Sequence, residues 1–194
     1  MQRREFIAAL GAAGIAGTAG CGAVSGDVVL SEPSVGEDSP GRKYLEWSDE
    51  GESVASFGVT GGVASGIVDL FQTELSHRDG TEVTRIELRV WMPDADAAAD
   101  VAVVSPVEGD SSSPPSLALY TPDDATGTVI EVTDLDDLAD ETIDTLEFII
   151  KPIDETATEL AIDVTIELAE GGVLGDDYTL NGDLELAFPE LAGG

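Results

Sequence analysis

The chain of 194 residues carries one cysteine, one histidine and only two lysines, Lys43 and Lys151. A single cysteine excludes an intramolecular disulfide. The lone histidine, His77, excludes the multi-histidine sets that hold catalytic zinc, and it stands beside Arg78-Asp79-Gly80, which reads as a turn. Aromatic residues make up 5% of the chain, few platforms for a cleft that cleaves polysaccharides. Basic residues number 8 against 40 acids, so the positive footprint that phosphate contacts require is missing and nucleic acid is excluded as a partner.

What the chain does have is acid. A net charge of −32 opposes compaction in dilute buffer and becomes tolerable where salt shortens the screening length to about 3 Å at 1 M. The hydrophobic fraction is 42%, which separates this composition from that of a disordered acidic tail. A chain of this length is expected to form one domain that buries roughly 70% of its unfolded surface. The acidic clusters do not have the spacing of calcium loops. Asp94-Ala95-Asp96 breaks down at Ala98, Asp134 to Glu141 has no turn glycine, and Asp123-Asp124 and Asp176-Asp177 are bare pairs. They read as solvated surface, and neither metal nor cofactor is expected.

The first residues are of another kind. Arg3 and Arg4 precede Glu5 and Phe6, and Ile7 to Gly20 contains only Ala, Gly, Ile, Leu and one Thr. This apolar stretch is shorter than the ~20 residues of a bilayer span, and its glycines weaken it further as a helix. A charged head, a short apolar body and a small-residue exit are the order of a signal peptide. Arg3-Arg4-Glu5-Phe6-Ile7 resembles a twin-arginine export motif, and Thr18-Ala19-Gly20-Cys21 resembles a lipobox. With the acid-rich, lysine-poor composition, the chain resembles the twin-arginine-exported lipoproteins of salt-loving archaea. That resemblance implies a removable signal over 1–20 and a lipid on Cys21 holding the protein to the outer side of the cell membrane. The stretch that follows, dominated by Gly, Ser, Asp, Glu and Pro, reads as a flexible tether over 21–50, and the length beyond it suggests one domain over 51–194. Export folded is the habit of twin-arginine cargo, which suits a domain without disulfides.

Beyond the expected tether the pattern has period two. Leu160, Ile162, Val164, Ile166 and Leu168 alternate with Ala161, Asp163, Thr165, Glu167 and Ala169, which is a strand with one side on a core. Ile86, Leu88, Val90 and Met92 repeat the pattern, as do Leu146, Phe148 and Ile150, and Leu184, Leu186 and Phe188. Shorter strand-like runs lie at 53–59, 101–104, 117–120 and 128–132. Asn181-Gly182 reads as a two-residue hairpin turn, because both positions of such a turn favour positive φ. Residues 66–77 fit a strand better than a helix, whereas 135–143 is the best helix candidate, with Asp134 as its cap. About eight or nine short strands with almost no helix predict an all-β, antiparallel, immunoglobulin-like β-sandwich, with a closed barrel as the alternative.

Chemistry is scarce. Gly61-Gly62-Val63-Ala64-Ser65-Gly66 matches neither a nucleophile elbow nor a phosphate loop. Ser111-Ser112-Ser113-Pro114-Pro115 reads as an exposed loop. Paired carboxylates suited to glycoside hydrolysis carry no information in a chain so rich in acid. The most unusual local feature is basic: on a strand, Arg85, Glu87, Arg89 and Trp91 share one face. One reading of Arg85, Arg89 and Trp91 is a small patch that binds an anionic or polymeric partner. The other is cross-strand pairing with acids, the arginine stems covering the indole. The expected function is an envelope lipoprotein with a binding or structural role toward an envelope protein or glycan. A secreted acidic hydrolase and a small solute-binding lipoprotein are the alternatives.

Overall fold

The structure, a computed structural model, describes residues 26–39, 42–64, 67–93, 100–105, 116–123, 125–135, 142–151, 157–170 and 176–193. Its strands in chain order are β1 (Asp27–Leu30), β2 (Ser34–Ser39), β3 (Arg42–Asp49), β4 (Glu52–Ala64), β5 (Ile67–His77), β6 (Thr81–Trp91), β7 (Asp100–Ser105), β8 (Ser116–Tyr120), β9 (Thr128–Thr133), β10 (Thr142–Lys151), β11 (Glu159–Glu170) and β12 (Asp177–Ala187). A 3-10 turn over Pro189–Gly193 follows β12. One six-stranded sheet has the order β1-β12-β11-β6-β9-β8, and the other β2-β3-β4-β5-β10-β7. Among the described residues only the β1–β12 pair is parallel. Neither sheet closes on itself, so the chain is a β-sandwich and not a barrel.

The alternation seen in the sequence is what builds the core. Leu160, Ile162, Val164, Ile166 and Leu168 of β11 are all buried, and they meet Leu45, Trp47, Phe57 and Leu75 of the other sheet in one cluster. Each such side chain contributes about 1.5–3 kcal/mol by leaving water. In β6 the inward residues are Thr81 and Val83, then Ile86, Leu88 and Val90. That change of parity follows from a bulge: Leu168 pairs with Val83 and Glu167 with Arg85, which leaves Thr84 over. A bulge of one residue moves every later side chain to the opposite face. It is the bulge that turns Arg85, Glu87, Arg89 and Trp91 outward.

Four expectations are corrected. Asn181-Gly182 is not a turn. β12 runs straight through it, Asn181 opposite Thr165 and Gly182 opposite Val164. The glycine serves close approach: a Cβ there would lie 2.8 Å from Leu45 Cδ1, 2.9 Å from Pro33 Cγ and 3.1 Å from Trp47 Cζ2. The Trp47 indole N–H donates to the Asn181 carbonyl at 2.9 Å, tying the two sheets together beside it.

Second, the stretch expected as a tether over 21–50 holds β1, β2 and β3, whose Leu45 and Trp47 are among the most buried residues. β2 is rich in Gly, Ser and acid, and it gains its order from pairing with β3, as β3 pairs with β4 and the four-residue β1 with β12. Third, Asp134 does not have the backbone of a cap. Its φ is 57°, whereas a cap residue takes extended backbone, and its carboxylate accepts from the Ser116 hydroxyl. Most of the helix candidate, 136–141, lies outside the described residues, and Thr142 and Ile143 begin β10. Fourth, the described residues hold twelve strands where eight or nine are expected, because β1, β2 and β3 lie in the stretch expected as a tether.

Two other readings meet the structure differently. Residues 67–77 are strand, as expected, and β4 carries the glycine run Gly61-Gly62 through an irregularity between Thr60 and Gly62. Arg78-Asp79-Gly80 forms the expected turn, with Gly80 at φ 85° and the Thr81 amide donating to the Arg78 carbonyl at 3.2 Å. The Thr81 hydroxyl also donates to that carbonyl, at 2.7 Å. It has no second proton, so His77 Nδ1, 2.9 Å away, is the donor to Thr81 Oγ1. His77 therefore braces a turn.

Candidate functional site

The outward face of the first sheet gathers the residues singled out in the sequence. Arg85, Glu87, Arg89 and Trp91 of β6 lie beside Asp163, Thr165 and Glu167 of β11 on one side and Val129 and Glu131 of β9 on the other. Arg85 and Arg89 are both half-buried. Arg85 Nε donates to Glu131 Oε1 at 2.7 Å, its Nη1 to Glu167 Oε1 at 3.3 Å, and its Nη2 to Glu87 Oε2. Arg89 donates to Asp163 Oδ2 through Nε at 3.0 Å and through Nη2. Its guanidinium carbon stands 4.3 Å from the centroid of the Trp91 ring, a cation–π contact.

The electrostatics follow from that crowding. The hydrogen bond to Glu131, then the charges of Glu87 and Glu131, hold the Arg85 guanidinium above its ordinary pKa against the cost of burial. Desolvation and the same two glutamates push the Tyr120 phenol up, opposed by Arg85. Around Arg85 and Arg89 four carboxylates answer two cations, so an anion approaching this face meets negative charge first. The cross-strand pairing reading describes these contacts, and Arg85 and Arg89 reach the acids of β9 and β11 that only register reveals.

Arg85→Ala leaves Glu87, Glu131 and Glu167 facing one another. The expected loss is about 1–2 kcal/mol, between the surface and buried limits for ion pairs, and smaller in molar salt than in dilute buffer. Urea midpoints at the two salt concentrations measure it.

The same face carries a shallow depression of 260 Å³ between the end of β1 and the β11–β12 pair, lined by Ser31, Asp163, Thr165, Asn181, Gly182 and Asp183. Thr165 Oγ1 donates to Asn181 Oδ1 at 3.1 Å. Asp163 and Asp183 stand directly opposite one another across the ladder. The sequence pointed to Asp163 and Thr165 only as outward residues of a strand; their meeting with Asp183 and Ser31 is a product of topology. Elsewhere, Arg78 Nη2 donates to Tyr178 Oη at 2.8 Å, which raises the Arg78 pKa. Among the described residues no group of three or more His, Cys, Asp or Glu side chains is placed to hold a metal ion. Arg3, Arg4, Phe6 and Cys21, the Ser111 to Pro115 loop and the Asp94-Ala95-Asp96 cluster lie outside the described residues.

With the geometry in place, comparison with known proteins assigns a family. The family described as "Domain of unknown function (DUF8121)" matches residues 28–190. The chain belongs to the DUF8121 family. The match opens in β1 and closes in the 3-10 turn after β12, so the DUF8121 unit includes β1, β2 and β3, in keeping with the corrected start of the domain. No curated protein matches the chain. Among solved structures it is similar to the yeast delta-COP-I mu-homology domain, at 13% identity and a TM-score of 0.32 over 66% of this chain and 54% of that one. It is also similar to a structure described as manganese lipoxygenase of Gaeumannomyces graminis with zonadhesin of Komagataella pastoris, at 14% identity and a TM-score of 0.35 over 77% of this chain and 56% of that one. The chain spans little more than half the length of either.

Proposed function

We propose that this DUF8121 chain is a lipid-anchored component of the cell envelope of a halophilic archaeon, facing outward and acting by binding. The observation that carries the reading is the run from Arg3-Arg4 to Cys21 placed just ahead of a sandwich whose first strand opens at Asp27. A lipid on Cys21 would hold β1 about six residues away, a reach of at most roughly 20 Å. The β1 start, the Arg78-Asp79-Gly80 turn and the β3–β4 turn would then face the membrane, and Trp91, Tyr120 and Lys151 would lie at the far end.

A hydrolase that uses acid catalysis needs a carboxyl held neutral by an apolar site. The buried polar side chains among the described residues are Thr73 and Thr81, which favours binding over that alternative.

Mass spectrometry of the protein from native membranes checks the anchor. The expected N-terminal peptide begins at Cys21 and carries a lipid adduct, and Cys21→Ser moves the protein from the membrane to the medium. An intact chain starting at Met1 with an unmodified Cys21 would overturn the reading.

A further inference from the structure

The depression on the outer face is unusual in what it puts together. Like charges directly opposite in an antiparallel ladder destabilise it, yet Asp163 and Asp183 are such a pair. Arg89 offsets the charge of Asp163 from the β6 side. The Asp183 side chain is exposed and makes no hydrogen bond or ion pair among the described residues. Beside these two acceptors stands Asn181, its Oδ1 taken by the Thr165 hydroxyl, so that the side chain offers its amino end as a donor. Ser31 closes the rim with a hydroxyl able to do either.

A cation would call for oxygens alone, converging in number; two carboxylates, one already engaged by Arg89, fall short of that. A set of charged acceptors with an amide donor and a hydroxyl suits a ligand that donates and accepts on neighbouring atoms. Vicinal hydroxyl groups of a sugar do so, and a carboxylate accepting from a hydroxyl makes the stronger, charge-assisted kind of hydrogen bond. The low aromatic content of the chain leaves this recognition to polar groups, with the half-buried Trp91, two residues along β6 from Arg89, as the nearest aromatic on that face. We infer that Asp183, Asp163, Asn181 and Ser31 form a subsite for the vicinal hydroxyls of a saccharide. The inference rests on the envelope-binding reading for its setting and names the ligand class of that face.

The test is a titration of the full chain, isotope-labelled and held in molar potassium chloride, with methyl glycosides of glucose, galactose and mannose, followed by amide resonances. At least one sugar is expected to move the Asn181 side-chain amide and the Gly182 and Asp183 backbone amides, with saturation at millimolar concentration. Asp183→Ala should weaken that binding at least about tenfold, the loss of a charge-assisted hydrogen bond, while Asp79→Ala in the exposed turn leaves it unchanged. If Asp183→Ala lowers the melting temperature, Asp183→Asn, which keeps the shape, replaces it. Shifts produced by calcium or by N-acetylarginine amide but by none of the sugars would overturn the assignment in favour of a cationic ligand, and no shifts at all would remove the subsite. Either result leaves the lipid on Cys21 to be judged by mass spectrometry alone.

Discussion

Gly182→Val is expected to destabilise the sandwich by more than about 3 kcal/mol and to lower its melting temperature by about 6–12 °C. The reason is that three neighbours already occupy the space. A Cβ on residue 182 lies 2.8 Å from Leu45 Cδ1, 2.9 Å from Pro33 Cγ and 3.1 Å from Trp47 Cζ2. Leu45 and Trp47 are 0% and 1% exposed, so neither swings into solvent to make room. Trp47 is held in addition by its hydrogen bond to the Asn181 carbonyl. Retreat of the indole leaves both partners unpaired inside the protein, at about 1–3 kcal/mol for such groups. Gly62 supplies the control: nothing lies within 4 Å of a Cβ there, and valine suits a strand. Gly62→Val should therefore melt with the parent or above it in thermal unfolding followed by circular dichroism. Equal melting temperatures for the two variants would show that the β12–β3 contact yields to a side chain at residue 182.

That contact also marks the limit of what the residues say on their own. Asn-Gly between two alternating runs is the signature of a tight hairpin, and nothing local distinguishes a glycine needed for positive φ from one needed for clearance. The decision is made by Trp47, which is 134 positions away in the chain. The long strands were legible for the opposite reason. β11 and the second half of β6 carry their own instructions, five and three buried aliphatics at strict alternation, so neighbours confirm them without having to specify them. β1 is only four residues long and β2 has a single apolar side chain, and Val29 and Val35 stay more than half exposed; their strand character comes from ladder partners. The outward face divides in the same way. Period two places Arg85, Arg89 and Trp91 together, whereas Glu131, Asp163 and Glu167 join them only through the register of β9 and β11. The depression, drawn from β1, β11 and β12, had no signal in any one stretch of sequence.

Raising potassium chloride from 0.1 M to 2 M is expected to stabilise the domain by several kcal/mol, a rise in melting temperature of roughly 10–20 °C. Salt acts here in two opposed directions. It weakens the ion pairs, in which Arg42, Arg85 and Arg89 engage Asp38, Glu74, Glu87, Glu131, Glu167 and Asp163. Exposed pairs are worth about 0–1 kcal/mol each, so their loss costs a few kcal/mol at most. Salt also screens the repulsion among 40 acids faced by 8 bases. Two like charges about 10 Å apart in water repel by roughly 0.4 kcal/mol; the screening length falls from about 10 Å at 0.1 M to 3 Å at 1 M, which removes most of that term for every such pair at once. Repulsive pairs outnumber attractive ones by a wide margin, and screening of the many outweighs loss of the few. Because the screening length is already short at 1 M, the gain from charge should level off between 1 M and 2 M. Sodium sulfate, which also strengthens apolar burial, should keep raising the melting temperature past that point. A melting temperature as high in dilute buffer as in molar salt would mean that the acids are far enough apart, or well enough paired outside the contacts named above, for the net charge to carry no penalty, and the halophilic reading of the composition would fall with it.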